Sequence, residues 1–290
     1  MKERIGVVGA GQMGAGIGHV FALAGHGVVL VDVDAAALAR GRARIERDMA
    51  RSVEFGTLSD EAREVALARL ETATDLESAA AGCDVVIESV PERLELKLDV
   101  FRRLDGCVMA DALLATNTSA KSVTEIAAVT ASPHRVIGLH FFNPPHRMRL
   151  VEIVRGLATD ERTVARAQRL CKAAGKDTVV VADVPGFATS RINAMIGNEA
   201  FFMLQEGVAS ADDIDRALKL GLNHPMGPFE LGDLVGLDTR LSVLEHLHAS
   251  LGEKFRPCPL LVKYVKAGRL GRKTGVGVYR YDDDGRRTDG

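Results

Sequence analysis

Short, mostly apolar runs alternate with longer stretches of helical periodicity along the first 184 residues of the chain. The apolar runs lie at residues 5–8, 28–31, 84–88, 113–117, 136–141, 150–154 and 178–181. Runs of this length without internal polar alternation are typical of strands buried on both faces. Strands that alternate with helices predict an α/β fold with a mostly parallel, doubly wound sheet of the Rossmann type.

The segment between residues 34 and 81 is predicted to be helical throughout. It breaks at Phe55-Gly56-Thr57, and Ser59 stands where a second helix would take its N-cap. This insertion is long for a plain crossover, so we expect a helical arm. A further helix is predicted to open at Pro91 and to run to about Leu104.

The pattern changes at Val184-Pro185-Gly186, after which no strand-like run appears before the tail. We therefore predict a Rossmann-type domain over residues 1–184 and a smaller, all-helical domain over residues 185–290. The first helix of the second domain, from Phe187 to about Gly207, is apolar on several faces. Such a helix is expected to be buried against a second subunit as well as its own domain, which predicts a homodimer.

Composition narrows the functional classes. The 290 residues are 47% hydrophobic and 26% charged, and the net charge of −2 argues against a nucleic-acid surface. No apolar run is long enough to span a membrane, and a core strand directly after Met-Lys-Glu-Arg leaves no room for a signal peptide. The four cysteines are far apart, which predicts reduced thiols and a cytoplasmic location. No group of residues has metal-ligand spacing, so no metal is expected.

A glycine-rich turn follows the first apolar run. In Gly9-Ala10-Gly11-Gln12-Met13-Gly14, Gly9 permits a tight turn, Gly11 lets a pyrophosphate approach the backbone, and Gly14 allows close packing of helix and strand. Asp32 ends the next strand, where its carboxylate can accept hydrogen bonds from a ribose 2′-hydroxyl and would repel a 2′-phosphate. The strand, turn, helix, strand and acid together predict a site for NAD rather than NADP.

His140 lies at the carboxyl end of a predicted strand, the edge where ligands bind in an open α/β sheet. Glu152 lies in the following strand, after the Asn143-Pro144-Pro145 turn, and adjacent strands would bring it to one ring nitrogen of His140. A carboxylate there fixes the tautomer and stabilises the imidazolium. The alternative is a hydrogen-bonded packing histidine.

Four other polar residues lie near predicted strand ends. Ser119 would donate to a substrate oxygen or simply cap the following helix. Glu92 and Lys97 would reach cofactor hydroxyls or remain a solvated ion pair. Asn143 precedes two prolines, which predicts a rigid turn. Asn143 would either bind a ligand or serve only to redirect the chain.

Taken together, these motifs resemble the short-chain L-3-hydroxyacyl-CoA dehydrogenases, a family that includes bacterial 3-hydroxybutyryl-CoA dehydrogenases, over almost the whole chain. The matching blocks are Gly9-Ala10-Gly11-Gln12-Met13-Gly14-Ala15-Gly16-Ile17, Thr116-Asn117-Thr118-Ser119, Gly138-Leu139-His140-Phe141-Phe142-Asn143-Pro144, Leu150-Val151-Glu152-Ile153-Val154, Pro185-Gly186-Phe187, His224-Pro225-Met226-Gly227-Pro228-Phe229-Glu230-Leu231 and Gly271-Arg272-Lys273-Thr274-Gly275.

The resemblance implies an NAD-dependent dehydrogenase of 3-hydroxyacyl thioesters, most simply 3-hydroxybutyryl-CoA. Hydride would pass between the substrate C3 and the nicotinamide, while His140, paired with Glu152, takes the proton of the C3 hydroxyl. It further implies that Ser119 and Asn143 bind near the substrate carbonyl and cofactor. The cofactor contacts that it implies are Gly9, Gly11, Gln12, Met13, Gly14, Asp32, Glu92, Lys97, Asn143 and Lys273.

Two departures from the family pattern leave alternatives open. Ser190 stands where relatives carry an active-site Asn, and Asn193, one helical turn on, lies on roughly the same face. The arm has Glu54-Phe55-Gly56-Thr57 where CoA-binding relatives often carry lysines. The alternatives are the same chemistry on an acyl-carrier protein, a dehydrogenase of free hydroxy or sugar acids, and a dinucleotide-binding structural protein.

Overall fold

The structure is a computed structural model, and it describes residues 2–288. Its strands are β1 (Arg4–Val8), β2 (Gly27–Val31), β3 (Leu70–Ala73), β4 (Val85–Glu88), β5 (Leu113–Thr116), β6 (Val136–Phe141), β7 (Leu150–Arg155) and β8 (Asp177–Ala182). The helices before residue 184 are α1 (Gln12–Leu23), α2 (Ala35–Glu54), α3 (Asp60–Leu67), α4 (Leu76–Ala80), α5 (Leu94–Asp105), α6 (Val123–Ala127) and α7 (Glu161–Ala173). Those after it are α8 (Thr189–Glu206), α9 (Ala211–Gly221), α10 (Pro228–Val235), α11 (Leu237–Leu251) and α12 (Pro259–Lys266).

The eight strands form one sheet in the order β3-β2-β1-β4-β5-β6-β7-β8. All neighbouring pairs are parallel except β6 and β7, which are antiparallel. Chain order reverses between β1 and β4, so the crevice beyond their carboxyl ends is the expected ligand site. The predicted Rossmann-type α/β fold is confirmed.

Two boundaries differ from the sequence prediction. Residues 70–73, predicted as helix, form the edge strand β3, which pairs only with β2 and buries only Leu70. A strand with one buried side chain lacks the apolar run by which strands are recognised. Helix α5 begins at Leu94 rather than Pro91, because residues 91–93 form a turn in which the Arg93 amide donates to the Pro91 carbonyl.

Helices α2 and α3 form the arm, and the buried face of α2 packs into the hydrophobic core of the sheet. Leu38, Ile45 and Met49 of α2 are buried in the same apolar cluster as the residues of α1 and β1. The tip is exposed, with Phe55 80% accessible. Ser59 caps α3 by accepting the amide of Ala62, which confirms its predicted role.

The chain folds as two compact units, one up to Val184 and the other from Pro185 onward. The second unit packs its helices around an aromatic and aliphatic cluster that includes Phe201, Phe229 and Phe255. Within residues 2–288, no helix is long and apolar enough to cross a membrane.

Candidate active site

The glycine-rich turn connects β1 to α1 and leaves no space for side chains at Gly9 and Gly14. Gly9 has φ +101°, and a Cβ added there would lie 2.6 Å from the carbonyl oxygen of Ser89. A Cβ at Gly14 would lie 1.8 Å from the carbonyl oxygen of Gly9. Neither position therefore accepts a larger residue without backbone movement, as the sequence predicts for a turn packed tightly between strand and helix.

The N-terminus of α1 fits a diphosphate. Its N-cap residue, Gly11, offers no side chain to the first amides, and the first turn carries no acidic residue. A Cβ built on Gly11 would meet nothing within 4 Å, so the space beside this residue is open. Free amides and the positive end of the helix dipole favour an anion at this position.

Asp32 lies beside the same turn, at the end of β2. Its Oδ2 accepts the amide of Ala10 at 2.8 Å, and its Oδ1 accepts the amide of Asp34 at 3.1 Å. These bonds hold the carboxylate next to the phosphate cradle while leaving it partly exposed. Each carboxylate oxygen has a second lone pair, so the arrangement fits a ribose diol.

His140 and Glu152 are directly opposite each other in the antiparallel β6–β7 pair. Nδ1 of His140 lies 2.8 Å from Oε2 of Glu152. The Glu152 side chain has no exposed surface, and that of His140 is 9% exposed. With a buried carboxylate at Nδ1, the imidazole is held in the tautomer that carries its proton there and presents Nε2 as the basic nitrogen.

A buried ionic network joins the ends of β4 and β5. Nζ of Lys97 lies 2.8 Å from Oε1 of Glu88 and 3.2 Å from Oε2 of Glu92. Oε1 of Glu92 accepts the Thr118 hydroxyl and the amides of Ser119 and Ala120. Burial opposes ionisation of Glu92, but the charge of Lys97 and the Thr118 hydroxyl together hold the pKa of Glu92 below its usual value.

This network changes the interpretation of Lys97. The sequence predicts for Lys97 either a direct cofactor contact or a solvated ion pair, yet its side chain has no exposed surface. An ammonium buried between two carboxylates positions Glu92 and does not offer a donor to solvent. Glu92, with its side chain 37% exposed, is the member that faces outward.

The remaining candidates of the first unit lie around the same edge of the sheet. Nε2 of Gln12 donates to Oδ1 of Asn143 at 2.8 Å, which ties the phosphate turn to the turn after β6. Ser119 is exposed directly after β5. Met13 is half-buried and packs against the core below the turn.

Ser190 and Lys273 lie in the second unit. Ser190 is in the first turn of α8 and is half-buried, as is Asn193 one turn later. Nζ of Lys273 lies 2.6 and 2.7 Å from the two carboxylate oxygens of Asp238, in an ion pair about half exposed.

Two polar residues of the site were not singled out from sequence. Glu88 has no exposed surface, and it accepts Lys97 and the hydroxyl of Thr116. Asn117 accepts the amide of Phe141 through Oδ1 and so links the ends of β5 and β6. A carboxylate that ends an otherwise apolar strand was the available signal for Glu88, because such a burial requires a cationic partner.

Comparison with known proteins gives the same assignment over both units. Residues 4–184 match the family description 3-hydroxyacyl-CoA dehydrogenase, NAD binding domain, and residues 186–281 match 3-hydroxyacyl-CoA dehydrogenase, C-terminal domain. The chain is 48% identical over 280 residues to a 3-hydroxybutyryl-CoA dehydrogenase of Bradyrhizobium diazoefficiens, covering 96% of this chain and 95% of that protein.

Similar proteins include a mitochondrial enzyme and one with a crystal structure. A mitochondrial hydroxyacyl-coenzyme A dehydrogenase of Rattus norvegicus is 40% identical over 286 residues, which are 96% of this chain and 91% of that protein. The crystal structure of an (S)-3-hydroxybutyryl-CoA dehydrogenase from Ralstonia eutropha has a TM-score of 0.94 at 43% identity, covering 98% of this chain and all of that one. The chain belongs to the 3-hydroxyacyl-CoA dehydrogenase family and is an NAD-dependent enzyme of that family.

Proposed function

We propose that this enzyme interconverts short-chain 3-hydroxyacyl-CoA and 3-ketoacyl-CoA, with 3-hydroxybutyryl-CoA and acetoacetyl-CoA as the substrate pair. The observation that carries the proposal is the His140–Glu152 pair at the ligand edge of the sheet. The same edge carries the Gly11 cradle and Asp32, so a proton acceptor and a dinucleotide site belong to one unit of the protein.

The protein's chemical task in the oxidation is to remove the proton of the C3 hydroxyl. Nε2 of His140 accepts that proton as the C3–O bond becomes a carbonyl, and the imidazolium is stabilised by the buried carboxylate of Glu152 at Nδ1. Bound NAD would supply the acceptor for the hydride that leaves C3. In the reverse direction the imidazolium returns the proton to the carbonyl oxygen.

Residues of the first unit would hold NAD at three points. The α1 amides behind Gly11 would bind the diphosphate, Asp32 would bind a ribose diol, and Glu92 would accept from a further hydroxyl. Lys97 would act through Glu92. The assignments of Ser190 and Lys273 rest on the resemblance of their motifs alone.

An arginine-rich cavity in the first unit supports CoA as the acyl carrier. Its volume is about 870 Å³, and its lining includes Pro144 of the turn after β6. Its lining carries four arginines, Arg44, Arg47, Arg51 and Arg147, which outnumber its two carboxylates, Asp48 and Glu54. Guanidinium groups bind phosphate oxygens strongly, so these arginines supply the charge that the lysine-poor arm lacks. An acyl-carrier protein presents one phosphodiester on its arm, whereas CoA presents several phosphate charges.

The deciding experiment is NADH oxidation with three ketone substrates: acetoacetyl-CoA, an acetoacetyl-carrier protein and free acetoacetate. We expect rapid oxidation with acetoacetyl-CoA alone. Faster turnover of the carrier protein would assign the carrier-bound alternative, and activity on the free acid would assign the hydroxy-acid alternative. A protein that binds NADH but oxidises it with none of the three would contradict the proposed function.

The proposed enzyme is a homodimer. Support comes from exposed apolar side chains on the second unit, which include Ile192 (58% accessible) and Met195 (39%) of α8. Exposed apolar clusters of this kind mark protein interfaces. Sedimentation equilibrium is expected to give twice the chain mass, and a monomer at micromolar concentration would contradict this assignment.

A further inference from the structure

Two histidines and one aspartate converge on the side of the first unit where α1, α2 and the turn after β6 meet. One potential ligand atom from each of His19, Asp48 and His146 lies within 4.8 Å of the others. The imidazole rings of His19 and His146 stack with centroids 4.8 Å apart and an angle of 5° between their planes. None of the three takes part in the proposed proton transfer, although Asp48 and His146 also line the arginine-rich cavity.

His19 is the most unusual member of this cluster. It is 2% exposed, and its Nδ1 is buried without a hydrogen-bond partner among the described residues. A buried ring nitrogen without a partner costs free energy unless something else binds it. Burial lowers the pKa of His19 to about 4 and also lowers the pKa of His146, while Asp48 opposes both shifts. Neutral imidazole is the form that binds metals.

The backbone holds the cluster in place. Gly16 lies one helical turn before His19, and a Cβ at Gly16 would be 2.6 Å from Cδ of Pro145. This close approach keeps the turn that carries His146 against α1. A cavity of about 300 Å³ lined by His19, His146 and Lys176 gives access from solvent.

We propose that His19, Asp48 and His146 bind a divalent transition-metal ion, with Zn²⁺ as the expected occupant. Two imidazoles and one carboxylate are a ligand set that zinc accepts, with water at the fourth position. Zinc–ligand bonds of about 2.0–2.1 Å place tetrahedral ligand atoms roughly 3.3 Å apart. The ligands therefore close together on binding, and the half-buried Asp48 and His146 are the two that move. The His146 ring must also turn out of its stack with His19, because lone pairs that lie in two parallel ring planes cannot point at one ion.

Charges around the cluster set the strength of the site. Asp48 attracts a cation, whereas Lys176 and Arg147 oppose it. Lys176 donates to the carbonyl oxygens of Pro145 and Met148, which directs its ammonium to the turn, and burial lowers its pKa. We therefore expect micromolar affinity rather than the tighter binding typical of structural zinc sites.

The test is a zinc titration of the full chain without a histidine tag, followed by a chromogenic chelator and by calorimetry. We expect one ion per chain. His146→Gln and Asp48→Asn, which change half-buried side chains, are expected to weaken binding at least tenfold. His134→Gln changes an exposed histidine outside the cluster and should bind as the wild type does.

Co²⁺ gives a second, spectroscopic readout that does not depend on enzyme activity. The cobalt form is expected to show visible d–d bands without thiolate charge transfer, and His146→Gln should lose them. Three outcomes would overturn the site: no binding at micromolar zinc, equal affinity in wild type and both variants, or a thiolate band that places the metal on a cysteine. Dehydrogenase activity in the absence of zinc tests the proposed function separately.

Discussion

Lys97 and Glu88 form an ion pair in which Nζ lies 2.8 Å from Oε1 and neither side chain has any exposed surface. The amide of Val90 and the hydroxyl of Thr116 donate to the same carboxylate, so its oxygens are fully used. The second carboxylate on Lys97 belongs to Glu92, which faces outward. The pair therefore fixes the outer carboxylate through a shared ammonium.

Lys97→Met is expected to destabilise the protein by about 3–5 kcal/mol, because it leaves the Glu88 carboxylate buried without its counter-ion. It should also raise the pKa of Glu92, whose ionisation Lys97 favours. The free energy of unfolding in urea measures the first effect.

The matched control for this variant is Arg103→Met. Arg103 pairs with Glu77 at 2.7 Å, but both side chains are more than 40% exposed, so water screens the pair. Its loss should cost less than about 1 kcal/mol. Equal costs for the two variants would show that burial of the Lys97 pair has no energetic consequence.

His140→Ala should lower kcat by roughly 10²- to 10⁴-fold, because it removes the proton acceptor but no cofactor contact. Glu152→Gln should lower kcat over a similar range, since an amide no longer stabilises the imidazolium. Steady-state kinetics measures both, and fluorescence titration should show NADH affinity within about twofold of wild type. Near-normal kcat in His140→Ala would disprove the assigned base.

Gly11→Ala is expected to weaken cofactor binding, whereas Gly14→Ala is expected to destabilise the fold, although both change the same motif. The Gly11 methyl would meet no protein atom within 4 Å, so stability should change by less than about 1 kcal/mol while NAD affinity falls at least roughly tenfold. The Gly14 methyl would lie 1.8 Å from a carbonyl oxygen, so about 3 kcal/mol or more should be lost. Thermal unfolding and NADH titration of both variants check this, and a reversed order of stabilities would contradict it.

Asp32→Ala should weaken NAD binding roughly tenfold to a hundredfold, the range expected for hydrogen bonds to a charged group. It should also narrow the preference for NAD over NADP, because the repulsion of a 2′-phosphate disappears. Dissociation constants for both cofactors provide the measurement. An unchanged ratio would mean that Asp32 serves only to accept the amides of Ala10 and Asp34.

His19 should make stability fall with acidity. Burial lowers its pKa to about 4 from an unfolded value near 6.5, and His146 and Lys176 add to the effect while Asp48 opposes it. The unfolded state therefore binds more protons between these values, so stability present above about pH 6.5 is lost as the pH falls toward 4. At about pH 5 the loss is on the order of 2 kcal/mol.

His19→Gln removes this titration, so its free energy of unfolding should decline less than that of the wild type between about pH 7 and about pH 5. Urea unfolding at both values measures the difference, and His134→Gln serves as the control. Parallel pH profiles for wild type and His19→Gln would contradict the assignment.

Most strands could be predicted from sequence because they are buried on both faces. Val85, Val86 and Ile87 of β4, for example, have no exposed surface, so three consecutive apolar residues mark the strand. The edge strand β3 gives no such signal, since Glu71 and Thr72 are both exposed to solvent. Its pairing depends on β2, which lies about 40 residues earlier and cannot be read from a local window.

The polar residues of the site divide in the same way. His140 and Glu152 could be paired in advance because they lie in consecutive strands, which are often neighbours in a sheet. The burial of Lys97 could not, because lysine is most often exposed and only the fold brings the ends of β4 and β5 around it. His19, Asp48 and His146 come from three separate elements, so their spacing along the chain carries no sign of their proximity.

Gly16 lets Pro145 approach α1 closely, because a Cβ at Gly16 would lie 2.6 Å from Cδ of Pro145. This approach places the helix after the phosphate turn against the turn that follows β6, the strand that carries His140. The Gln12–Asn143 hydrogen bond also links the phosphate turn to the turn after β6. The proposed sites for the hydride acceptor and for the proton acceptor therefore lie on parts of the unit that are tied together. The lack of a side chain at Gly16 therefore permits the short distance between α1 and the turn after β6.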